Sequence, residues 1–338
     1  MAENLSDLTT LHVGGPAKRV VHVHTEEELI ATVQQCDELH EPLLILGGGS
    51  NVLVGDLGFD GTVIIVETQG NSYEIDACSG GTLQVAAGEN WDKFVEFTIS
   101  KDLANLECLS GIPGTVGGAP IQNIGAYGHE VAEVIARIRT YDRKSKKIHT
   151  FMASDCDFSY RSSIFKKEPE RYVILDVTFQ LRRGETSLPI QYEELAGALN
   201  VEVGARVAIS EVRAAVLALR AKKGMLYSDQ NWSAGSFFTN PIISQESASK
   251  LPADAPRWPQ PDGTVKTSAA WLMEHAGFHK GEALSGAKIS DKHVLALMNA
   301  GSATADDIAG LARAARAKVK DKFGITLEPE VQFVGLSL

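Results

Sequence analysis

Gly111-Ile112-Pro113-Gly114-Thr115-Val116-Gly117-Gly118-Ala119-Pro120-Ile121-Gln122-Asn123-Ile124-Gly125-Ala126-Tyr127-Gly128 decides how the rest of the chain is read. Six glycines in 18 residues are a costly choice for a packed element, because each loses roughly 0.5–1 kcal/mol relative to alanine through unfolded-chain entropy. A long surface loop would tolerate that composition, but the interleaved Ile, Val and Ala residues argue for burial. A large ligand lying against bare backbone accounts for both features.

A second glycine segment lies upstream, Leu43-Leu44-Ile45-Leu46-Gly47-Gly48-Gly49-Ser50-Asn51. Three glycines after an apolar strand let backbone N–H groups converge without Cβ obstruction, a concavity that suits a pyrophosphate; a merely tight turn is the bland alternative. The segment is neither a Walker A loop nor a spaced GxGxxG, so the usual nucleotide-hydrolase and Rossmann readings lack their fingerprint.

Working outward, a strand over 19–24, a helix over 26–39 with a Thr25/Glu28 capping box and a buried strand over 43–46 form a small βαβ-like unit. From 62 to 181 the pattern is strand-rich, with strands expected at 62–67, 82–87, 136–142, 148–151 and 172–181 and a helix at 91–100. After a helix over 210–222, a third region opens with Gly235-Ser236-Phe237-Phe238. It continues through a Pro-rich stretch, 251–263, read as an exposed loop, and a helix over 268–275. A helix over 304–323 follows, capped by Thr304 and Asp307, stopped at Gly324 and striped by Ile308, Leu311, Ala315 and Val319. The last strand, 325–334, alternates Ile325, Leu327, Val331 and Phe333 against Glu328, Glu330 and Gln332.

At ~150 residues per domain, 338 residues make two or three domains. The 44% hydrophobic content suffices for substantial cores. A net charge of −11 opposes general binding to nucleic acid or anionic lipid, and the basic runs 143–147 and 313–322 read as solvated faces. Cys36, Cys78, Cys108 and Cys156 include no CxxC pair, which fits reduced thiols in a cytoplasmic protein. The N-terminus lacks a basic region followed by an apolar one and no apolar run reaches 18 residues, so a cytosolic, non-membrane location is expected. His275 and His279, and His22 with His24, have no third ligand in a recognised spacing, so no metal is expected.

Together with Tyr160-Arg161-Ser162-Ser163-Ile164-Phe165, Ala234-Gly235-Ser236-Phe237-Phe238-Thr239-Asn240-Pro241 and Leu327-Glu328-Pro329-Glu330-Val331, the two glycine segments resemble the UDP-N-acetylenolpyruvoylglucosamine reductase (MurB) family, in order from about Thr9 to Gly335. The resemblance implies an α+β chain with a vanillyl-alcohol-oxidase-type FAD-binding fold: two α/β subdomains, 1–68 (with 331–338) and 69–219, and a C-terminal α+β substrate-binding domain, 220–330. It implies FAD as cofactor, NADPH as hydride donor and reduction of the enolpyruvyl ether of UDP-N-acetylglucosamine to UDP-N-acetylmuramate, a step in peptidoglycan precursor synthesis, with no obligatory protein partner evident. The cofactor is assigned to Gly47, Gly48, Gly49, Ser50, Asn51, Ile112, Pro113, Gly114, Gly117, Gly118, Asn123 and Gly125.

The chemistry asks for specific side chains. An enol ether is electron-rich and resists hydride, so conjugate addition requires the attached carboxylate to accept electron density under strong donors or positive charge. Arg161 carries a planar fork that matches a carboxylate, and by resemblance it is the catalytic arginine. Glu330 matches the family's catalytic glutamate, a neutral donor if burial beside an anion raises its pKa. Alternation alone does not separate it from Glu328; its place after Pro329 does. Ser236 corresponds to the proton donor that quenches the developing enol, a role an alcohol fills only in fixed geometry. Tyr192, Lys223 and Asn240 match the tyrosine, lysine and asparagine around the sugar diphosphate, and Tyr127 and Tyr160 are expected to line the substrate pocket. Two departures stand out: Lys223 is followed by Gly224 where the family has proline, and Trp258 stands where a subtype carries a loop tyrosine. Two other functions compete: an FAD oxidase of a small alcohol, which needs a base where Ser236 stands, and a non-enzymatic sugar-nucleotide or phosphate binder using the glycine loops alone.

Overall fold

The computed structural model describes residues 3–226 and 231–338. They form two compact units: a larger one, Lys18–Gly48 with Asp60–Lys222, and a smaller one, Met1–Ala17 with Gly49–Phe59 and Lys223–Leu338. The ranges expected from sequence run through residues 1, 2 and 227–230, which lie outside the described residues.

The larger unit begins with β1 (Ala17–Val23), α1 (Glu26–Glu38), β2 (Leu43–Leu46) and β3 (Phe59–Val66), whose strands form a sheet in the order β1-β3-β2. β2 and β3 run parallel, Leu43 opposite Thr62 and Leu46 opposite Ile65. The capping box of α1 is formed as read, Thr25 Oγ1 accepting from Glu28 N at 3.1 Å and Glu28 Oε2 from Thr25 N at 3.2 Å. Its buried face is Leu29, Val33 and Cys36, one stripe at helical spacing.

An antiparallel sheet follows, built from β4 (Asn71–Asp76), β5 (Gly80–Ala86), β6 (Ile135–Asp142), β7 (Lys147–Met152) and β8 (Tyr172–Arg183) in the order β7-β6-β8-β5-β4. The central strand β8 is buried along nearly its whole length, and α2 (Trp91–Ser100) packs its aromatic residues on it. Trp91, Phe94 and Phe179 meet with ring centroids 4.9–6.1 Å apart, and the Trp91 indole N–H donates to Leu109 O at 3.0 Å, satisfying the one polar atom of that cluster. Two helices, α3 (Glu193–Leu199) and α4 (Ile209–Lys222), close the unit around Leu195, Val212 and Val216.

In the smaller unit a four-stranded sheet contains β9 (Ser233–Ser236), β11 (Ala287–Ile289) and β12 (Ala296–Asn299), and a second sheet pairs β10 (Val265–Thr267) with the hairpin partner Arg257–Pro259. Helices α5 (Ala269–His275) and α6 (Ala305–Phe323) cover the core formed by Phe237, Phe238, Leu272, Ile308 and Leu311. Thr304 caps α6 with Asp307, and Gly324 ends it at φ +70°, as the sequence suggests.

Two expectations are corrected. The stretch 325–334 is not one strand: only β13 (Gln332–Val334) is, paired in parallel with Val52–Val54. The alternating burial of Ile325, Leu327 and Val331 comes from an extended segment packed on the core, whose Glu330 N–H donates to Phe237 O while Glu328 O accepts from Thr239 N. Nor is 251–263 simply an exposed loop. Leu251 and Ala255 are buried, and the Arg257 guanidinium donates to the carbonyls of Ala248, Leu251, Pro252, Ala253 and Ala255, gathering the turn around one side chain.

Candidate active site

In the larger unit the two glycine segments touch. A Cβ on Gly47 would stand 2.3 Å from Thr115 Oγ1 and one on Gly48 3.1 Å from Gly114 Cα, so the end of β2 lies on the 111–128 segment through bare backbone. That segment is tied down on its other side: Gly117 N donates to Ala87 O at 2.8 Å, Val116 N to Glu89 O at 2.9 Å, and Trp91 N to Gly114 O at 3.1 Å. Val116, Ala119 and Ile124 enter the core, as their interleaving with glycine predicts. Ile112, Pro113 and Gly114 remain half-buried, and Gly118 is exposed.

The Gly111 peptide is gripped from both ends. Asp92, in the first turn of α2, accepts from its N–H at 2.6 Å, and Arg220 of α4 donates to its carbonyl at 3.0 Å. Arg213 clamps Asp92 with two bonds of 2.6 and 2.9 Å. Burial works to raise the Asp92 pKa, but the bonds from Arg213 and the Gly111 N–H prevail and hold it below the ordinary range. Burial lowers the pKa of Arg220.

Arg161 sits at the tip of a turn whose ends, Ser159 and Ser162, exchange backbone bonds of 3.1 and 3.0 Å. Its φ is +53°, in the left-handed region that costs a non-glycine residue about 1–3 kcal/mol. The guanidinium donates to Gly125 O at 2.8 Å and lies 5.3 Å from the Tyr160 ring centre. A Cβ on Gly125 would fall 2.8 Å from the His129 carbonyl oxygen and 3.1 Å from Arg161 Nη1, and the backbone contact requires a glycine there. Ser163 Oγ donates to Ile121 O at 2.5 Å, fastening the turn to the glycine segment. Asn123 and Tyr127 share the left-handed conformation, with φ of +46° and +52°. The Asn123 amide is occupied within the loop: its N–H groups reach Glu130 and Ser159, and its oxygen accepts from Ala132 N. Tyr127 meets Tyr192 edge to face at 6.0 Å, and burial pushes its phenol up to about 12 against the opposing charge of Arg220.

The smaller unit holds the other nominated residues. Gly49, at φ +58°, leaves no room for a Cβ beside Leu8 O. Asn51 donates to Glu330 O at 3.1 Å and its carbonyl accepts from Gln332 N at 3.0 Å. Glu330 and Ser236 are brought close in the chain's pairing, because Glu330 N donates to the carbonyl of Phe237, the residue after Ser236. Glu328, the residue alternation could not separate from Glu330, is exposed and reaches Arg316 at 3.4 Å. Ser236 ends β9 opposite Ala296, preceded by Gly235 at φ +75°, with the buried Phe237 and Phe238 after it. Ser50 and Lys223 are half-buried in turns, and Asn240 Oδ1 accepts from Ala269 N at the start of α5. Gly224 adopts φ +65°, which a proline ring forbids, so the missing proline after Lys223 reflects a different local turn. Trp258 is 40% exposed on the hairpin strand.

Sequence reasoning missed the Asp92–Gly111–Arg220 clamp and His293, whose Nε2 lies 3.3 Å from Ser236 Oγ. Neither carries a local signal, since the clamp joins residues 19 and 109 apart and the His–Ser pair residues 57 apart.

Among known proteins, a family model described as "UDP-N-acetylenolpyruvoylglucosamine reductase, C-terminal domain" matches residues 227–334, and one described as "FAD binding domain" matches 17–150. The UDP-N-acetylenolpyruvoylglucosamine reductase of Cutibacterium acnes is 54% identical over 99% of this chain and 90% of the relative. That of Streptomyces coelicolor is 47% identical with the same coverage. The crystal structure of the Thermus caldophilus enzyme (MurB) superposes with a TM-score of 0.69 at 27% identity, covering 99% of this chain and 98% of that one. With both models in chain order, end-to-end identity near one half, and the glycine segments in contact, this chain belongs to the UDP-N-acetylenolpyruvoylglucosamine reductase (MurB) family.

Proposed function

We propose that the chain is an FAD-dependent, NADPH-driven reductase of the enolpyruvyl ether of UDP-N-acetylglucosamine, producing UDP-N-acetylmuramate in peptidoglycan precursor synthesis. The observation that supports it is the contact of Gly47 and Gly48 with Thr115 and Gly114, which joins the two glycine-rich segments into one stretch of nearly bare backbone that would suit an extended cofactor. Packing does not require glycine at the exposed Gly118, where a Cβ would make only ordinary contact with Thr115 O at 3.4 Å; close approach of a ligand would. Gly47 through Asn51, with Ile112, Pro113, Gly114, Gly117, Gly118, Asn123 and Gly125, would hold FAD, the Asn123 side chain also fixing the loop's shape. FAD held there would supply the hydride relay between NADPH and the substrate, while the protein's residues supply orientation and electrostatics.

On the family resemblance, 1–68 with 331–338 and 69–219 would form the cofactor subdomains and 220–330 would bind substrate, although 49–59 group with 223–338 in the fold. Arg161, held by Gly125 O, Asn123 O and the Ser159–Ser162 turn, would direct its guanidinium to the substrate carboxylate and stabilise the charge that hydride addition drives onto it. Glu330 assists the same carboxylate as a donor. Ser236 delivers a proton to the carbon bearing that carboxylate. Lys223, Asn240, Tyr127, Tyr160 and Tyr192 position the sugar diphosphate. No helix among the described residues is long and apolar enough to cross a membrane; the nucleotide-sugar substrate places the work in the cytoplasm. Purified protein should carry flavin that NADPH bleaches once, and should turn NADPH over continuously only when the enolpyruvyl nucleotide is added. Colourless protein that neither binds FAD nor oxidises NADPH with that compound refutes the reading.

A further inference from the structure

Ser236 Oγ lies 3.3 Å from Nε2 of His293, and both residues are half-buried. Backbone bonds fix the meeting. Ser236 is paired with Ala296, Phe237 N donates to Leu295 O at 2.8 Å, and Ala296 N donates to His293 O at 3.1 Å, closing the turn that brings residue 293 back to the end of β9.

Resting on the reductase reading, Ser236 is an alcohol asked to act as an acid, and it must be reprotonated before the next turnover. A neutral imidazole accepting the hydroxyl hydrogen would turn that hydrogen away from the substrate and favour nucleophilic chemistry instead. The donor role needs the opposite polarity, with the hydrogen on Nε2.

We propose that His293 acts through Ser236: its protonated Nε2 donates to Oγ, directs the hydroxyl hydrogen toward the substrate, and returns a proton to Oγ after transfer. The C–H bond forms as the Oγ–H bond breaks; Oγ–H re-forms as Nε2–H breaks, and solvent reprotonates the imidazole. The two electrons that reduce the vinyl group arrive with the NADPH-derived hydride. Ionisable groups on the segments framing His293 are Lys288 and Asp291, paired at 2.6 Å, Lys292, whose chain lies along Gly224, Lys223 before it, and Glu330 beside Phe237. With the imidazolium as the working form, proton delivery weakens as pH rises through the histidine pKa, ordinarily about 6.5.

The test uses flavin-loaded wild type, His293→Ala, His293→Gln and Ser236→Ala in anaerobic stopped flow. Flavin reduction by NADPH and reoxidation by the enolpyruvyl nucleotide are followed separately as functions of pH. His293→Ala should slow reoxidation by roughly 10²-fold while reduction by NADPH stays near wild type. Reoxidation in wild type should fall at high pH with an imidazole midpoint, and neither His293 variant should show that midpoint. His293→Gln keeps an N–H donor and should recover part of the rate without the pH dependence. In NMR titration, the His293 midpoint should move in Ser236→Ala. Reoxidation of His293→Ala at the wild-type rate, or a wild-type pH profile in both His293 variants, overturns the inference while leaving the reductase reading intact. Wild-type flavin that the nucleotide does not reoxidise overturns the reductase reading itself, and the inference with it.

Discussion

Gly47→Ala places a methyl group 2.3 Å from Thr115 Oγ1, 3.2 Å from Cγ2 and 3.3 Å from Cβ. Thr115 is β-branched and has few rotamers to escape into, and its backbone is engaged: Thr115 O accepts from Gly118 N at 3.0 Å, and the residue bridges to Asn90. The strain therefore passes into the cofactor loop. Overpacking of this kind costs about 1–3 kcal/mol, and if the cofactor-bound form bears it, FAD affinity falls roughly 5- to 150-fold. Thr115→Ala removes Oγ1 and Cγ2 and leaves Cβ at 3.3 Å, a tight but tolerable contact. The double variant should therefore recover most of the loss, and Thr115→Ala alone should sit near wild type. FAD titration into apoprotein, followed by flavin fluorescence, completes the double-mutant cycle. Wild-type affinity in Gly47→Ala, or a double variant no better than the single, refutes the contact as the reason for glycine.

Other consequences follow from the same geometry. Asp92→Asn removes a carboxylate whose pKa is depressed in the fold; its stabilising effect is complete above the ordinary value of about 3.9 and is lost as pH falls through the depressed one. The melting-temperature gap between wild type and Asp92→Asn should therefore be widest near neutrality and close in acid; parallel curves contradict it. Arg161→Lys keeps charge but loses the fork that serves Gly125 O and the carboxylate together. Flavin reoxidation by the nucleotide should slow by roughly 10²–10³-fold, with reduction by NADPH little changed; equal slowing of both steps assigns Arg161 a merely structural place. Gly224→Pro restores the family's usual residue on a backbone at φ +65°, so it should lower thermal stability and weaken nucleotide binding while FAD affinity is kept; an unperturbed variant contradicts the local turn.

What the sequence makes legible here follows physical range. Elements whose signal is local are read to within a residue or two: the Thr25/Glu28 and Thr304/Asp307 boxes start their helices, β2 spans Leu43–Leu46 and α2 spans Trp91–Ser100 as expected. β4 escapes because it is an edge strand with every residue but Ile75 exposed, so no apolar alternation marks it. The short strands of the smaller unit are too brief to show a period. The segment 325–334 misleads because Pro329 has no N–H to give a ladder, yet an extended chain pressed on a core alternates in burial as a strand does. The glycine segments announce themselves by composition, but that Gly47 needs to be bare because of Thr115, and Gly125 because of the His129 carbonyl, appears only once the chain is folded. The same limit hides His293 beside Ser236.

A single anaerobic turnover bears most directly on the whole account. Flavin-loaded protein is first reduced with one equivalent of NADPH and then mixed with the enolpyruvyl nucleotide in the absence of oxygen. The expected result is recovery of oxidised flavin together with one equivalent of UDP-N-acetylmuramate. Flavin that stays reduced until air is admitted, with the nucleotide recovered unchanged, would contradict it.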